Sequence, residues 1–193
     1  EAWVNTSHPG LPIIATLALA HYQFEALHPF SDGNGRIGRL VIVLQLMRDG
    51  HLTQPLLTIS PWLEQRRRDY QEHLASVSQT GDFDPWIRFF ATGVRTQSDA
   101  AVAKIDQLIA FQAHVREIVQ QNRIRGIGRD IAEDLIGRPI VTPTFAAEHY
   151  DKSYPAANSG IQRLVAAGLL REATGRRYDR VFVSDEIMRI IEF

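Results

Sequence analysis

The chain has no cysteine in its 193 residues. Disulfides, nucleophilic thiolates and cysteine-held metals are thereby excluded, and a reducing, cytoplasmic setting is expected. An excess of one charge is also lacking. Lys and Arg number 21 against 22 Asp and Glu, for a formal net charge of -1. Net charge therefore gives no hold on nucleic acid or an anionic membrane, and any such partner must be met by a local patch. No apolar run approaches a membrane span, so no membrane partner is expected. The chain opens on Glu1-Ala2-Trp3, with neither Met nor a signal-like start. It reads as a fragment of a longer protein. What is present is ordinary globular material, 45% hydrophobic and 22% charged. That suffices for one domain or two small ones.

Apolar periodicity predicts helices. Pro12 to Leu27 repeats Ile13, Leu17, Ala20 and Phe24 at helical spacing, with Pro in the first turn. A second helix runs from Ile37 to Arg48, with Leu40, Val41, Leu44 and Met47 on one face and Gly50 past its end. Ser60-Pro61 opens a third that ends near Val77, and Asp84-Pro85 a fourth carrying Trp86, Phe89 and Phe90. Ser98 to Gln121 is a long amphipathic helix with Val102, Ile105, Leu108 and Val115 inward, and a short one follows near Arg129 to Ile136. The pattern changes at Gly137-Arg138-Pro139. Two short helices, through Phe145 and from Pro155 to Ala167, precede two short strands around a Gly-Arg-Arg turn. Helix, turn, helix and basic hairpin is the pattern of a winged helix-turn-helix. The expected fold is all-α, a helical bundle over 1–136 followed by a small winged helix over 137–193 with a short β-hairpin.

Between the first two helices stands HPFSDGNGRIGR, His28 to Arg39. Its GNGRIG satisfies the dinucleotide pattern G-x-G-x-x-G, but a helix precedes it where a strand is required. The P-loop pattern fails because Arg39 and Leu40 stand where Lys and Ser or Thr belong. An EF-hand fails because Ile37 and Val43 occupy its turn-glycine and terminal-Glu positions. What remains suits anion chemistry. Gly33 and Gly35 let backbone N–H groups approach a phosphate, and a helix N-terminus faces the same place. Arg36 and Arg39, three apart, share one side of that helix and can fork onto phosphate oxygens. Asp32 is a hard oxygen ligand suited to Mg²⁺, and His28 a base near neutral pH. Phe30 is expected to bury and anchor the loop, and Asp32 to double as helix cap. Gly38 is expected to permit close helix packing.

The stretch resembles the motif H-P-F-x-[DE]-G-N-G-R-x-x-R of the Fic family, matching every fixed position. LALAHYQFEAL before it is similar to the family's approach to the histidine. PLLTISPWLEQRRRDYQEHL and GDFDPWIRFF resemble its downstream helices, and a C-terminal winged helix recurs in many bacterial Fic proteins. The resemblance implies a Fic-type bundle that transfers AMP from ATP to a Tyr, Ser or Thr hydroxyl of a protein, this chain itself included. It implies that His28 is the general base and that Asp32 holds Mg²⁺. Gly33, Asn34 and Gly35 would form the anion hole, Arg36 would meet the β- and γ-phosphates, and Arg39 the γ-phosphate. Family members often carry paired tyrosines beside adenine. Here the pair reads Tyr70-Gln71, so Tyr70 alone is the adenine candidate. The alternatives are a Fic enzyme that uses another nucleotide or removes AMP, and a DNA-binding regulator with an inactive or nucleotide-sensing core.

The family's inhibitory pattern [ST]-x-x-x-E-[GN] is not matched. Ser60 and Glu64 are followed by Gln65, and Thr144 and Glu148 by His149. An inhibitory segment upstream, or a separate antitoxin-like protein, is the expected brake, and the target-aligning flap is expected to precede Glu1. A homodimer is a further candidate assembly. In the winged helix Asn158, Gln162, Arg163, Arg176 and Arg177 are the candidate contacts to DNA or a partner, although acidic neighbours such as Glu148, Asp151 and Glu172 dilute the charge. His21 and the other histidines outside the motif read as packed, capping or exposed.

Overall fold

In the computed structural model, which describes residues 10–176 and 179–192, Pro12 stands at the N-cap of helix α1 (Ile13–Leu27). Helix α2 is Asn34–Arg48, α3 is Ser60–Gln65 and α4 is Arg67–Thr80. The chain is mostly helical, as its periodicity predicts, with one small sheet. Its contacts divide it into two compact units, residues 1–102 and 103–193. Among the described residues no helix is long and apolar enough to cross a membrane.

The core of the first unit gathers Leu17 and Ala18 of α1, Ile42 and Leu46 of α2, Trp62 of α3, and Trp86 and Phe90. The indole N–H of Trp86 donates to the Ala18 carbonyl at 2.9 Å, which ties it to α1 inside the core. Helix α2 turns another face inward than its periodicity suggested. Leu40 and Leu44 are exposed, whereas Gly38, Ile42, Gln45 and Leu46 are buried. The run LVIVLQLM is apolar on every side, so periodicity could not choose a face. Close approach to α1 chose it. A Cβ on Gly38 would lie 3.1 Å from a Phe24 ring carbon and 3.2 Å from one of His21, so only glycine fits here.

The expected third helix is two. Arg66 leaves helical geometry (φ -118°, ψ 33°) and separates α3 from α4. Its guanidinium lies over the Trp62 ring, 4.8 Å from the centroid. The reverse happens downstream, where one helix, α5 (Asp84–Gln121), replaces the two expected. The turn-like residues of ATGVRTQSD stay helical. Thr92 and Thr96 donate their hydroxyls to the carbonyls four residues back at 2.8 Å each. Gly93 admits the Trp62 ring against the helix backbone. Val102 and Ile105, expected inward, are 58% and 39% exposed, and the inward residues are Phe111 and Val115.

The second unit packs Phe111 and Val115 around α6 (Ile127–Asp134), α7 (Pro143–His149) and α8 (Tyr154–Ala166). Thr142 caps α7 by accepting the Phe145 amide at 3.2 Å, and Ser153 caps α8 by accepting that of Ala156 at 3.4 Å. Gly128 and Gly160 let α6 and α8 touch, since a Cβ on Gly160 would lie 3.0 Å from the Gly128 nitrogen. Strands β1 (Ile140–Val141), β2 (Arg171–Glu172) and β3 (Phe182–Val183) form an antiparallel sheet in the order β1-β3-β2. Val183 pairs with both Ile140 and Arg171. The sequence predicted β2 and β3 but neither β1 nor the last helix, α9 (Asp185–Ile191). The compositional change at Gly137 also differs from the compact division at 102/103. Residues of α5 and α6 share the core of Ile161, Leu164 and Phe182, so no new core begins at Gly137.

Gly93→Ala should place a Cβ 2.6–3.0 Å from three carbons of the Trp62 ring. Overpacking of this kind costs about 1–3 kcal/mol. Urea denaturation should show that loss, and a variant as stable as the wild type would mean that α3 can shift freely from α5.

Candidate functional site

Helix α1 ends at His28, which takes the left-handed conformation (φ 45°, ψ 54°) and closes on the Phe24 carbonyl with its amide at 3.1 Å. Few residues with a Cβ adopt this region, and Pro29 restricts His28 further. The strain throws the chain away from α1 at the histidine itself. Further along, Asn34 holds the loop. Its Oδ1 accepts the Phe30 amide at 2.9 Å and its Nδ2 donates to the Phe30 carbonyl at 2.6 Å. Asn34 is 2% exposed, so this clasp is anchored from the buried side of the loop. Phe30 itself is 48% exposed, which corrects the expectation that its ring anchors the loop. Its backbone is the anchored part.

Gly33 is the N-cap of α2, again left-handed (φ 83°, ψ 5°), and no side chain caps the helix. The expected cap by Asp32 is not made. Asp32 instead meets Arg36 across 3.3 Å in a pair of highly exposed side chains. The first-turn amides of α2 therefore keep their donors, unlike the capped starts of α7 and α8. They combine with the positive end of the helix dipole to favour an anion.

Both arginines fold back over glycines of that turn. A Cβ on Gly33 would meet the Arg36 guanidinium at 3.6 Å, and one on Gly35 would meet Nη1 of Arg39 at 3.0 Å. Together they line a cleft of about 300 Å³ whose other wall is Pro55 to Ser60. Sequence reasoning missed that wall. Its signal was the prolines bracketing PLLTISP, which stop a helix and leave an extended segment beside α2. His28, Asp32, Gly33, Asn34, Gly35, Arg36 and Arg39 thus share one loop and the first two turns of α2.

Tyr70 comes to this region from α4, on the His21 side. Its hydroxyl is 3.0 Å from Nε2 of His21 and its ring packs with Trp86. Burial, with Glu25 nearby, pushes its hydroxyl well above the usual phenol range. His21 is packed, at 2% exposure, as its position on α1 suggested. Burial lowers it to about 4, the nearby Gly38 backbone partly offsets this, and Arg39 adds to the lowering. Glu25 was also missed. Its carboxyl is raised by burial, against the opposing pull of Arg39 and His28. Among the described residues no three His, Cys, Asp or Glu side chains gather into a metal-holding group.

In the second unit Gln162 and Arg163 are exposed on α8, and Arg176 is exposed near the turn. Asn158 differs from expectation, because its Oδ1 accepts a hydrogen bond from Arg180 at 2.5 Å. Its carbonyl is thus engaged within the fold rather than presented to a base edge. Arg177 lies outside the described residues.

A sequence model of the Fic/DOC family matches residues 1–46. The chain is 36% identical over 92 residues to "Protein adenylyltransferase Fic" of Drosophila yakuba, covering 47% of this chain and 17% of that protein. The protein of the same name from Aedes aegypti is 38% identical over 96 residues, with the same shares. The chain therefore matches less than a fifth of the length of these relatives. A crystal structure of a Fic family protein from Desulfovibrio desulfuricans G20 aligns with 95% of this chain and 52% of its own, at 21% identity and a TM-score of 0.48.

A buried neutral histidine makes stability depend on acid. His21 titrates near 6.5 when unfolded and near 4 when folded, so the unfolded chain binds the extra proton in that window. Stability should be complete above about pH 6.5 and fall toward pH 4, by about 3 kcal/mol from this group. Urea denaturation across that range should show the slope, and His21→Gln should flatten it. An equal slope in the variant would assign the acid sensitivity to other groups.

Proposed function

We propose that the chain carries the catalytic centre of a protein adenylyltransferase, which moves AMP from ATP to a Tyr, Ser or Thr hydroxyl of a protein. One observation carries the reading. The uncapped first turn of α2, with both arginines folded over its glycines, follows the left-handed His28 in the chain after one short loop. The match of residues 1–46 to the Fic/DOC family supports it, as does the resemblance to adenylyltransferases over about half of the chain.

The target oxygen attacks the α-phosphorus as His28 takes its proton. The bond to the β-phosphate breaks and pyrophosphate leaves. The barrier is lowered by positioning and by charge neutralisation rather than by a covalent intermediate. The amides of Gly33, Asn34 and Gly35 receive phosphate oxygens, Arg36 bridges the β- and γ-phosphates, and Arg39 reaches the γ-phosphate. The donor set fits Mg²⁺, because the Asp32 carboxylate is 91% exposed beside the anion site and paired only loosely with Arg36. A magnesium ion takes one or two carboxylates plus phosphate oxygens, and when bound it neutralises phosphate charge. Tyr70 remains the adenine candidate through its ring, its hydroxyl being on His21.

For the C-terminal part, the order α6, β1, α7, α8, β2, β3 supports the winged-helix reading. Gln162, Arg163 and Arg176 are its exposed contacts for DNA or a protein partner, and Asn158 would first have to release Arg180.

His28→Ala should lower AMP transfer from labelled ATP by about a hundredfold or more while ATP still binds. Transfer that survives the substitution, or wild-type protein that binds ATP with Mg²⁺ yet labels neither itself nor any other protein, would overturn the reading.

A further inference from the structure

Beneath the anion loop lies a carboxylate that the proposed chemistry does not use. The Glu25 side chain is 13% exposed on α1, and its Oε1 is buried without a hydrogen-bond partner. It stands 4.0 Å from Nε2 of His21. On α2, Nε of Arg39 is likewise buried without a partner. The two orphans share one place. A Cβ on Gly35 would lie 3.0 Å from Nη1 of Arg39 and 3.9 Å from Oε1 of Glu25. A Cβ on Gly38 would come within 2.6 Å of the same Glu25 oxygen. Both glycines therefore leave room for this carboxylate to pass between the helices toward the arginine.

Arg36 has its own counter-ion in Asp32. Arg39 forms no ion pair within 4 Å among the described residues, and Glu25 is the carboxylate beside it. A guanidinium with a buried nitrogen needs an opposite charge nearby to hold one geometry. We propose that Glu25 is the positioning residue for Arg39. Its carboxylate holds the guanidinium folded over Gly35, so that the outer nitrogens meet the terminal phosphate of the nucleotide. Glu25 touches no substrate and acts only through Arg39. His21 and Tyr70 pack behind it and keep water from the carboxylate. The role rests on the reading of the loop as an ATP site. It adds a cause for discrimination between ATP and ADP, because only ATP offers the phosphate that a correctly held Arg39 would meet.

Two readouts test this on the same chain. The first is the Nε–H signal of Arg39 in nucleotide-free protein, assigned by its loss in Arg39→Lys. The second is calorimetric affinity for ATP and for ADP. Glu25→Gln is isosteric and should shift or broaden the Arg39 signal. It should weaken ATP about tenfold and ADP by less than about threefold, a difference of the size expected for one charge-assisted contact. Glu25→Asp keeps the charge and should recover part of both effects, which covers a Gln variant that folds poorly. An Arg39 signal unmoved by Glu25→Gln would overturn the role, as would ATP and ADP weakening by the same factor. If the wild type binds neither nucleotide, the ATP-site reading falls and takes this role with it. If the wild type prefers ATP in an Arg39-dependent way that Glu25→Gln leaves intact, the role of Glu25 alone falls.

Discussion

The clasp of Asn34 on Phe30 is the contact on which the site depends. One amide side chain satisfies both backbone groups of a residue four positions back. It thereby turns a glycine-rich connection into a fixed ring. Buried amides are costly unless fully bonded, so the arrangement is held in one register. Once the ring is closed, Gly33 must enter α2 from the left-handed region, where glycine is at little cost. Among the described residues no side chain then caps the first-turn amides. Their donors remain for a ligand because the loop spends its polar atoms on itself.

The same clasp sets the partners on either side. Upstream, the chain leaves α1 through the left-handed His28, which turns it out of the helix at the histidine. Downstream, it fixes where α2 begins, and close approach to α1 sets Gly38 against Phe24 and His21. With α2 so placed, Arg36 and Arg39 come to one side, facing Pro55 to Ser60. The hydrophobic core supports this from behind, where Trp86 reaches the Ala18 carbonyl of α1. The turn at His28, the uncapped start of α2 and the placement of the two arginines thus follow one another along a single stretch of chain.

The loop was legible because its residue types are narrow in meaning. Glycines at two-residue spacing, a histidine before a proline and arginines three apart leave few compatible structures. Helix starts were also legible, since Pro12, Thr142 and Ser153 are terminal signals with physical causes. What escaped was decided by packing across the chain. The inward face of α2 could not be read from an all-apolar run, and close approach to α1 fixed it. The break at Arg66 and the continuity of α5 both turn on Trp62, a residue distant in sequence from Gly93. Glu25 carries no signal in the sequence, because the room for it is made by Gly35 and Gly38 of another helix. The family resemblance implies an anion-hole role for Asn34, but nothing in the residue types announces its two bonds to the Phe30 backbone.

The most direct measurement is the structure of this chain with Mg²⁺ and a non-transferable ATP analogue. The account predicts the phosphates on the first turn of α2, with the Gly33 to Gly35 amides and both arginines on their oxygens and the α-phosphorus turned toward His28. A nucleotide seated elsewhere, such as the arginine-lined cleft at Arg116, Arg123, Arg125 and Arg129, with the α2 turn left bare, would contradict it.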